Sequence, residues 1–253
     1  AREFDAPQTT PGPIEIHRHL ADMAKAGSGA AVMEVSSHAL VHRRADHVRF
    51  AAGVFTNLAQ DHLDFHKTPE AYRDAKGLLF KGLRRGAAAV LNRDDAAAAH
   101  YASITKAAVH DYGLDDRADL RAQIREVTFR GTRLTLIAGG GQKRKSVEIS
   151  SRLMGRHNVC NILAAAATGL ALGMDLPTIR RGIEALVAVP GRLEPVDAGQ
   201  DFAVMVDYAH TEDALRNVLE CLRPLTKGRL ICVFGCGGDR DRVSRSRDQV
   251  RRP

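Results

Sequence analysis

The chain has 253 residues, of which 44% are hydrophobic, and it carries a formal net charge of +7. This length allows one large or two ordinary domains, and the composition is that of a globular protein. No apolar run approaches the roughly 18 residues that a membrane span needs, and no basic-then-apolar leader opens the sequence. Neither membrane insertion nor secretion is therefore expected.

The positive charge is concentrated near the end of the chain. Residues 240–253 contain six arginines and two aspartates, without an aromatic residue between them. Because no nucleic-acid-binding module is recognisable either, nucleic-acid binding is not expected. The four cysteines show neither CxxC pairs nor a framework spacing, which favours reduced thiols in a cytoplasmic protein.

Short apolar runs alternate with helical periodicity in the first half of the chain, which predicts an α/β fold. Continuous apolar and β-branched runs are typical of buried strands, and they occur in "AAVMEV" (30–35), "AAGVFTNL" (51–58) and "AAAVLN" (87–92). The predicted helices cover residues 14–26, 69–85 and 94–105. Thr68 is the candidate N-cap of the second helix, since Pro69 suits a first helical turn.

The pattern changes at about residue 119. Three runs read as antiparallel strands, with "GGGQK" as a hairpin turn: "LRAQIREVTF", "TRLTLIA" and "KSVEIS". Helices are predicted over 158–172 and 177–186, and Pro and Gly in "AVPGRLEPV" (188–196) predict a linker. A second α/β unit follows with strand "FAVMVDYA", helix 212–222 and strand "RLICVFG".

Side chains able to bind a metal follow two of the predicted strands. Glu34 ends the run 30–35, and Asp61, His62 and Asp64 follow the run 51–58. Because the carboxyl ends of parallel strands open onto one crevice, Glu34 and His62 are predicted to converge on a divalent cation. A carboxylate combined with water and phosphate oxygens favours magnesium. The alternative is that Glu34 and a following serine only cap the next turn.

Tyr72 and Lys76 are four residues apart and share a helix face. Leu79 and Phe80 lie near that face, so Lys76 is predicted to point inward, although a surface lysine is the ordinary alternative. Burial disfavours the ammonium form. A free amine can react with carbon dioxide to give an anionic carbamate.

Polar residues at three later positions suit a nucleotide. Asn158 and Asn161 lie in the first turn of a helix, where one is explained as a cap and two could read a base edge. Asp207 and His210 lie at a strand-to-helix turn, which is typical of phosphate or ribose contacts. The glycine-rich "FGCGGDRDR" (234–242) is a weak signal because its GxGxxG pattern is incomplete.

Eight motifs occur in matching order over roughly residues 9–242: "TTPGP", "MEVSSHAL", "FTNLAQDHLDFH", "AYRDAKGLLF", "GRHNVCNILAA", "VPGRLE", "VDYAHTEDAL" and "VFGCGGDRDR". Together they resemble the Mur ligases, most closely those that add the third residue of the peptidoglycan stem peptide. The resemblance implies an incomplete central ATPase-type domain over 1–190, with a mostly parallel sheet plus a small antiparallel one. The start of a Rossmann-like C-terminal domain, ending in an atypical basic tail, would occupy 191–253.

The resemblance also implies a role for each matching residue. Glu34 and His62 match magnesium ligands, and Lys76 matches a lysine carried as a carbamate. The residues matching those that grip the UDP-muramoyl dipeptide are Thr9, Thr10, Ser36, His42 and Arg44, with His42 standing where relatives often have glutamine. The residues matching the ATP site are Asn158, Asn161, Arg192, Asp207 and His210. Arg240 matches an arginine that holds the incoming amino acid.

The family reaction has two steps. The γ-phosphoryl group of ATP moves to the terminal D-Glu carboxylate of UDP-MurNAc-L-Ala-D-Glu, and the amine of a diamino acid then displaces phosphate from the acyl phosphate. Mg²⁺ neutralises charge during the first step. The resemblance of "GCGGDRD" to the family favours meso-diaminopimelate over lysine as the added residue. A cytoplasmic monomer is expected.

One departure from the family pattern affects the expected activity. The sequence contains no G-x-x-x-x-G-K-[ST] phosphate loop, which the family places before "TTP". The chain is therefore expected to be an internal fragment that is inactive by itself. The alternatives left open are a folylpolyglutamate-synthetase relative, a non-catalytic substrate- or nucleotide-binding remnant, and a metal-dependent hydrolase built on Glu34, His62 and Asp64.

Overall fold

The computed structural model describes residues 8–59, 63–141 and 144–235. The chain divides into two compact units. Unit 1 takes the chain up to Ala118 together with Ala167–Gly173, and unit 2 takes Asp119–Ala166 and the chain from Met174. The first division lies where the sequence pattern changes from alternating strands and helices to consecutive strands.

Unit 1 is built from alternating helices and parallel strands. Its elements are α1 (Pro13–Lys25), α2 (Ser37–Val41), β1 (Ala52–Phe55), α3 (Leu63–His66), α4 (Pro69–Gly82), β2 (Ala88–Asn92), α5 (Ala97–Ile104) and β3 (Ala108–Gly113). β2 pairs in parallel with β1 on one side and with β3 on the other. The predicted cap of α4 is confirmed, since the backbone N–H of Ala71 donates to Oγ1 of Thr68 at 3.1 Å.

The core of unit 1 lies around β2, whose five residues are all buried. Tyr101 is fully buried there, with its ring stacked on Phe80 at 4.9 Å and edge-on to Phe55 at 4.7 Å between centroids. Its hydroxyl donates to the backbone oxygen of Arg73 at 3.1 Å. Burial of the phenol raises the pKa of Tyr101 well above its usual range, so the group stays a neutral donor.

Unit 2 begins with antiparallel strands, as predicted. The elements from residue 120 onward are β4 (Leu120–Thr128), β5 (Gly131–Ala138), β6 (Lys145–Ser151), α6 (Arg156–Ala171), α7 (Leu176–Ala185), β7 (Glu194–Val196), β8 (Val204–Val206) and α8 (Glu212–Leu222), and the end of α6 belongs to unit 1. β5 pairs antiparallel with both β4 and β6, and β7 pairs antiparallel with β8. Met154, Leu193 and Leu222 form a small core in this unit. The α/β class is confirmed.

Two predicted strands are wrong. Residues 30–35 and 229–235 form no strand, and Val32 and Val233 are 97% and 94% exposed. An apolar run stays in a sheet only where other strands pair with its backbone and cover its faces. Within the described ranges no strand pairs with either segment. In addition, β3 (Ala108–Gly113) lies outside every strand predicted from the sequence.

None of the helices in the described ranges combines the length and the apolar character that crossing a lipid bilayer requires.

Replacing Val90 with Ala tests the assignment of the core to β2. Val90 is 0% exposed, whereas Val109 on the neighbouring β3 is 42% exposed. Val90→Ala is expected to lower the free energy of unfolding by about 2 kcal/mol, because burial of a valine side chain contributes roughly 1.5–3 kcal/mol. Val109→Ala, the matched control, is expected to cost less than about 1 kcal/mol. Equal losses in urea unfolding of both variants would contradict the assignment.

Candidate functional site

Thr10 joins the segments that carry the predicted dipeptide-binding residues. It is 1% exposed, and its Oγ1 donates to the backbone oxygen of Glu34 at 2.9 Å. Oγ1 of Thr10 also accepts from the backbone N–H of Ser36 at 3.0 Å and lies 3.5 Å from Oγ of Ser36. Thr10 therefore holds residues 34–36 in place. A predicted strand over 30–35 would have held them by backbone pairing, but these residues form no strand.

Ser36 begins α2. Its Oγ accepts from the backbone N–H of Ala39 at 3.1 Å, which caps the helix. Ser36 therefore caps the turn that follows it, and its predicted role in binding the dipeptide stays a prediction. Because the backbone N–H of Ser36 also donates to Thr10, the first turn of α2 is held next to Thr10.

Arg44 is the charged member of this group. Its Nη1 donates to the backbone oxygen of Thr10 at 3.2 Å and to Oε1 of Gln8. A guanidinium group has five N–H donors, so others remain for an anionic ligand. Of the other predicted binding residues, Thr9 is exposed and so is His42, whose ring lies 5.7 Å from that of Phe65.

The predicted metal centre is only partly described. The carboxylate of Glu34 is exposed, and an oxygen donor of this type suits Mg²⁺. Over residues 8–59, 63–141 and 144–235, no three His, Cys, Asp or Glu side chains come together as a metal site. His62 lies outside the described residues, so its convergence with Glu34 stays a prediction. The described side chains do not by themselves make a magnesium centre.

Tyr72 and Lys76 meet on α4, as their spacing predicts. Nζ of Lys76 lies 5.0 Å from the centroid of the Tyr72 ring. Tyr72 is 7% exposed and Lys76 is half-buried, which fits a lysine that turns towards the protein. The negative face of an aromatic ring attracts a cation, so the Tyr72 ring is a favourable neighbour for the Lys76 side chain.

Three side chains that sequence reasoning missed hold the chain where it leaves β1. Nδ2 of Asn92 donates to the backbone oxygen of Thr56 at 2.6 Å, and the Tyr112 hydroxyl donates to that of Phe55 at 2.9 Å. Asp95 Oδ2 accepts from the backbone N–H of Leu58 at 2.7 Å. The end of β1 and the segment 56–59 that follows it are thus held at three points. The available signal was Asn92, a polar residue closing a fully apolar run.

In unit 2, Asn158 and Asn161 lie together but differ in exposure. Asn158 is 1% exposed, and its Nδ2 donates to the backbone oxygen of Met154 at 2.8 Å. Asn161 is exposed, and its Nδ2 donates to Oδ1 of Asn158 at 3.3 Å. Both amide atoms of Asn158 are therefore engaged within the protein, while Asn161 has an exposed amide.

Asp207 links its own turn to the segment that carries Arg192. Its carboxylate accepts from the backbone N–H of Leu193 and from that of Ala209, both at 2.8 Å. Arg192 and His210 are exposed, and Nδ1 of His210 shares a hydrogen bond with the backbone oxygen of Tyr208 at 2.9 Å. Asp207 thus fixes the backbone beside Arg192. Arg240 lies outside the described residues.

His157 is a further residue of this region that sequence reasoning passed over, although it stands inside the quoted motif "GRHNVCNILAA". It is half-buried, and burial lowers the pKa of the imidazole; the Asp207 carboxylate opposes this shift, and the Arg192 guanidinium adds to it. These influences place His157 electrostatically close to two predicted ATP-binding residues. Its imidazole is kept neutral near pH 7.

Acidification tests the burial of His157. Because folding lowers its pKa, the unfolded chain binds this proton more tightly, so the free energy of unfolding falls as the pH drops through the unfolded value of about 6.5. His157→Gln cannot titrate and is expected to gain stability relative to the parent between about pH 7.5 and about pH 5.5. Urea unfolding across this range measures the difference. The exposed His17→Gln is the control, and an identical pH response of both variants would refute the inferred burial.

Two family models match the chain. Residues 2–169 match the Mur ligase middle domain, and residues 191–252 match the Mur ligase, glutamate ligase domain. Neither match depends on the site geometry described above.

Individual relatives agree with these models. The UDP-N-acetylmuramoyl-L-alanyl-D-glutamate–2,6-diaminopimelate ligase of Geobacter metallireducens is 47% identical over 250 residues, which cover 96% of this chain and 48% of the relative. The enzyme of the same name from Bacillus cereus is 45% identical over 248 residues, or 96% of this chain and 50% of the relative. A solved structure of an enzyme with this name matches at 35% identity and a TM-score of 0.74, covering 95% of this chain and 49% of that one.

The chain thus spans about half the length of the curated relatives it matches. The middle-domain model alone covers more than half of the chain, since it matches residues 2–169 of 253. The chain belongs to the Mur ligase family.

Proposed function

We propose that this chain serves in the ATP-dependent addition of meso-diaminopimelate to UDP-MurNAc-L-Ala-D-Glu during peptidoglycan synthesis. The observation that carries the proposal is the 47% identity, over 96% of the chain, to a relative named for this dipeptide and this amino acid. The grouping of Thr10, Ser36 and Arg44 in unit 1 supports it, because these residues were predicted to bind the dipeptide. The reaction class is acyl transfer through an acyl phosphate.

In this proposal Arg44 binds the anionic dipeptide substrate. Its guanidinium is already held by Thr10 and Gln8, so little side-chain freedom remains to be lost on binding. Arginine also recognises carboxylate and phosphate groups through parallel N–H donors. The hydroxyls of Thr10 and Ser36 then act mainly by fixing the loops around this guanidinium.

Lys76 is proposed to carry the carbamate. Carbon dioxide adds to the neutral Lys76 amine, so that a C–N bond forms and one N–H proton is lost to solvent, whereas the face of the Tyr72 ring attracts cations. The resulting carbamate is anionic, so Nζ is expected to leave the ring face once it has reacted. Magnesium held by Glu34, His62 and this carbamate remains a prediction of the proposal; when bound, it would neutralise charge on the transferring phosphoryl group.

For ATP, the proposal assigns direct contacts to the exposed residues of unit 2. Asn161, Arg192 and His210 have exposed side chains. The carboxylate of Asp207 accepts from two backbone N–H groups, and the amide of Asn158 bonds to the Met154 backbone and to Asn161. Asp207 and Asn158 would then shape the site. The division of domains at residues 190 and 191, the cytoplasmic location and the monomeric state stay predictions.

A second candidate is a chain that binds the dipeptide without ligating it. It is favoured by the absence of a G-x-x-x-x-G-K-[ST] sequence in these 253 residues, because that loop's N–H groups and lysine hold the β- and γ-phosphates. The two candidates differ in turnover and agree on dipeptide binding.

Arg44→Ala tests dipeptide binding directly. The variant is expected to lower the affinity of the 253-residue chain for UDP-MurNAc-L-Ala-D-Glu by about tenfold or more, since a hydrogen bond to a charged group contributes roughly 1.5–3 kcal/mol. Isothermal titration calorimetry measures the change. Arg43→Ala is the matched control, because Arg43 is exposed and pairs with Asp46 at 2.6 Å. Absence of binding by the parent, or an equal effect of both variants, would refute the proposed site.

Turnover tests whether these 253 residues suffice for the first step of the proposed reaction. The 253-residue chain, supplied with ATP, Mg²⁺, the dipeptide and diaminopimelate, is expected to release no ADP beyond a reaction that lacks the dipeptide, because the β- and γ-phosphates lack their cradle. A coupled assay for ADP makes the measurement. Dipeptide-dependent ADP release would show that these residues suffice for the first step and would eliminate the binding-only candidate.

A further inference from the structure

A buried pair of polar side chains lies between the two predicted functional regions of unit 1. Ser37 is 2% exposed and His66 is 8% exposed. Nε2 of His66 and Oγ of Ser37 share a hydrogen bond of 2.9 Å across 29 residues of sequence. Ser37 is the first residue of α2 and His66 is the last of α3. Loss of either partner would leave a buried polar group unpaired, which is costly.

The His66 ring continues the contact towards Lys76. Its centroid lies 5.1 Å from that of Tyr72 at an interplanar angle of 37°. Tyr72 is itself buried, and Nζ of Lys76 lies 5.0 Å from the centroid of the Tyr72 ring. Ser37, His66, Tyr72 and Lys76 thus follow one another in contact.

Ser37 adjoins the predicted dipeptide-binding residues at the other end of this series. The preceding residue, Ser36, donates its backbone N–H to Oγ1 of Thr10 at 3.0 Å and caps α2 with its side chain. The helix α2 packs against α4, which carries Tyr72 and Lys76. A shift of Ser37 would therefore move Ser36 at one end and the His66 ring at the other.

We propose that Ser37 and His66 are positioning residues of the ligase site. Their hydrogen bond sets the distance between α2 and α3, so that the His66 ring supports Tyr72 against Lys76 while Ser36 stays on Thr10. The inference rests on the proposed function, because it assigns a purpose to the joint placement of the dipeptide-binding residues and the reactive lysine. Neither residue is expected to touch substrate.

The test uses the 253-residue chain with isotope-labelled lysine and tyrosine. Ser37→Ala removes the hydroxyl, and His66→Phe keeps a ring but removes both nitrogens. Both variants are expected to lose the nuclear Overhauser contact between the Lys76 ε-methylene and the Tyr72 ring. Their affinity for UDP-MurNAc-L-Ala-D-Glu is expected to fall by up to about tenfold, because part of the binding free energy is then used to bring Ser36 and Thr10 back into position.

Two further variants separate positioning from simple stability. His66→Gln keeps a side-chain nitrogen and oxygen within reach of Ser37 and is expected to restore much of the contact and affinity lost in His66→Phe. Ser151→Ala is the matched control in unit 2, because Ser151 is 3% exposed and its Oγ accepts from the backbone N–H of Leu153 at 3.1 Å. It is expected to lower the melting temperature while leaving contact and affinity unchanged.

The outcomes distinguish the two proposals. An unchanged Lys76–Tyr72 contact in Ser37→Ala and His66→Phe overturns the positioning role, and so does a His66→Gln variant no better than His66→Phe. If Ser37→Ala does not fold, the comparison of the two His66 variants decides. A parent chain that shows the contact but binds no dipeptide overturns the proposed function. In that case, loss of the contact in the variants would still support the placement of Lys76 by Ser37 and His66.

Discussion

Hydrogen bonds from side chains to loop backbone hold the part of unit 1 in which the candidate site lies. Thr10 holds Glu34 and Ser36, Asn92 holds Thr56, and Asp95 holds Leu58. Loop segments lack the repeated backbone pairing of a sheet, so their N–H and C=O groups need other partners. Each such bond contributes about 1 kcal/mol net, and several acting on the same loops restrict them strongly.

This constraint changes how the matched residues are interpreted. The family resemblance gives Thr10, Asp207 and Asn158 ligand-binding roles, yet their polar side-chain atoms form hydrogen bonds within the protein. Their arrangement leaves Arg44, Arg192 and Asn161 with donors able to reach a ligand. Residues that hold a site in shape and residues that contact a ligand recur together in a motif, so motif matching alone does not separate them.

Local sequence patterns predicted most helices of the protein and part of its sheet. Thr68 and Thr211 cap α4 and α8 because each side chain accepts a bond from a backbone N–H three residues later, which depends on adjacent sequence only. The same local criterion predicted strands over residues 30–35 and 229–235. Both predictions were wrong, because strand formation also depends on partners that are distant in the sequence. The α/β fold class could be predicted from the alternation of strand and helix patterns alone.

The candidate site was predictable only in part for the same reason. The spacing of Tyr72 and Lys76 is local, and their contact was expected. Ser37 with His66, and Asn92 with Thr56, are joined across 29 and 36 residues, which no periodicity reveals. The contributions of His62 and Arg240 rest on resemblance, because both lie outside the described residues.

Amide hydrogen exchange on the 253-residue chain tests the central role of these side chains most directly. The N–H groups of Ser36 and Leu58 are bonded to Thr10 and Asp95 rather than to backbone. They are expected to exchange slowly, at a rate comparable with that expected for the N–H of Ala88, which donates to the backbone of Ala51. Exchange of Ser36 and Leu58 at the rate of an unstructured peptide would contradict the account.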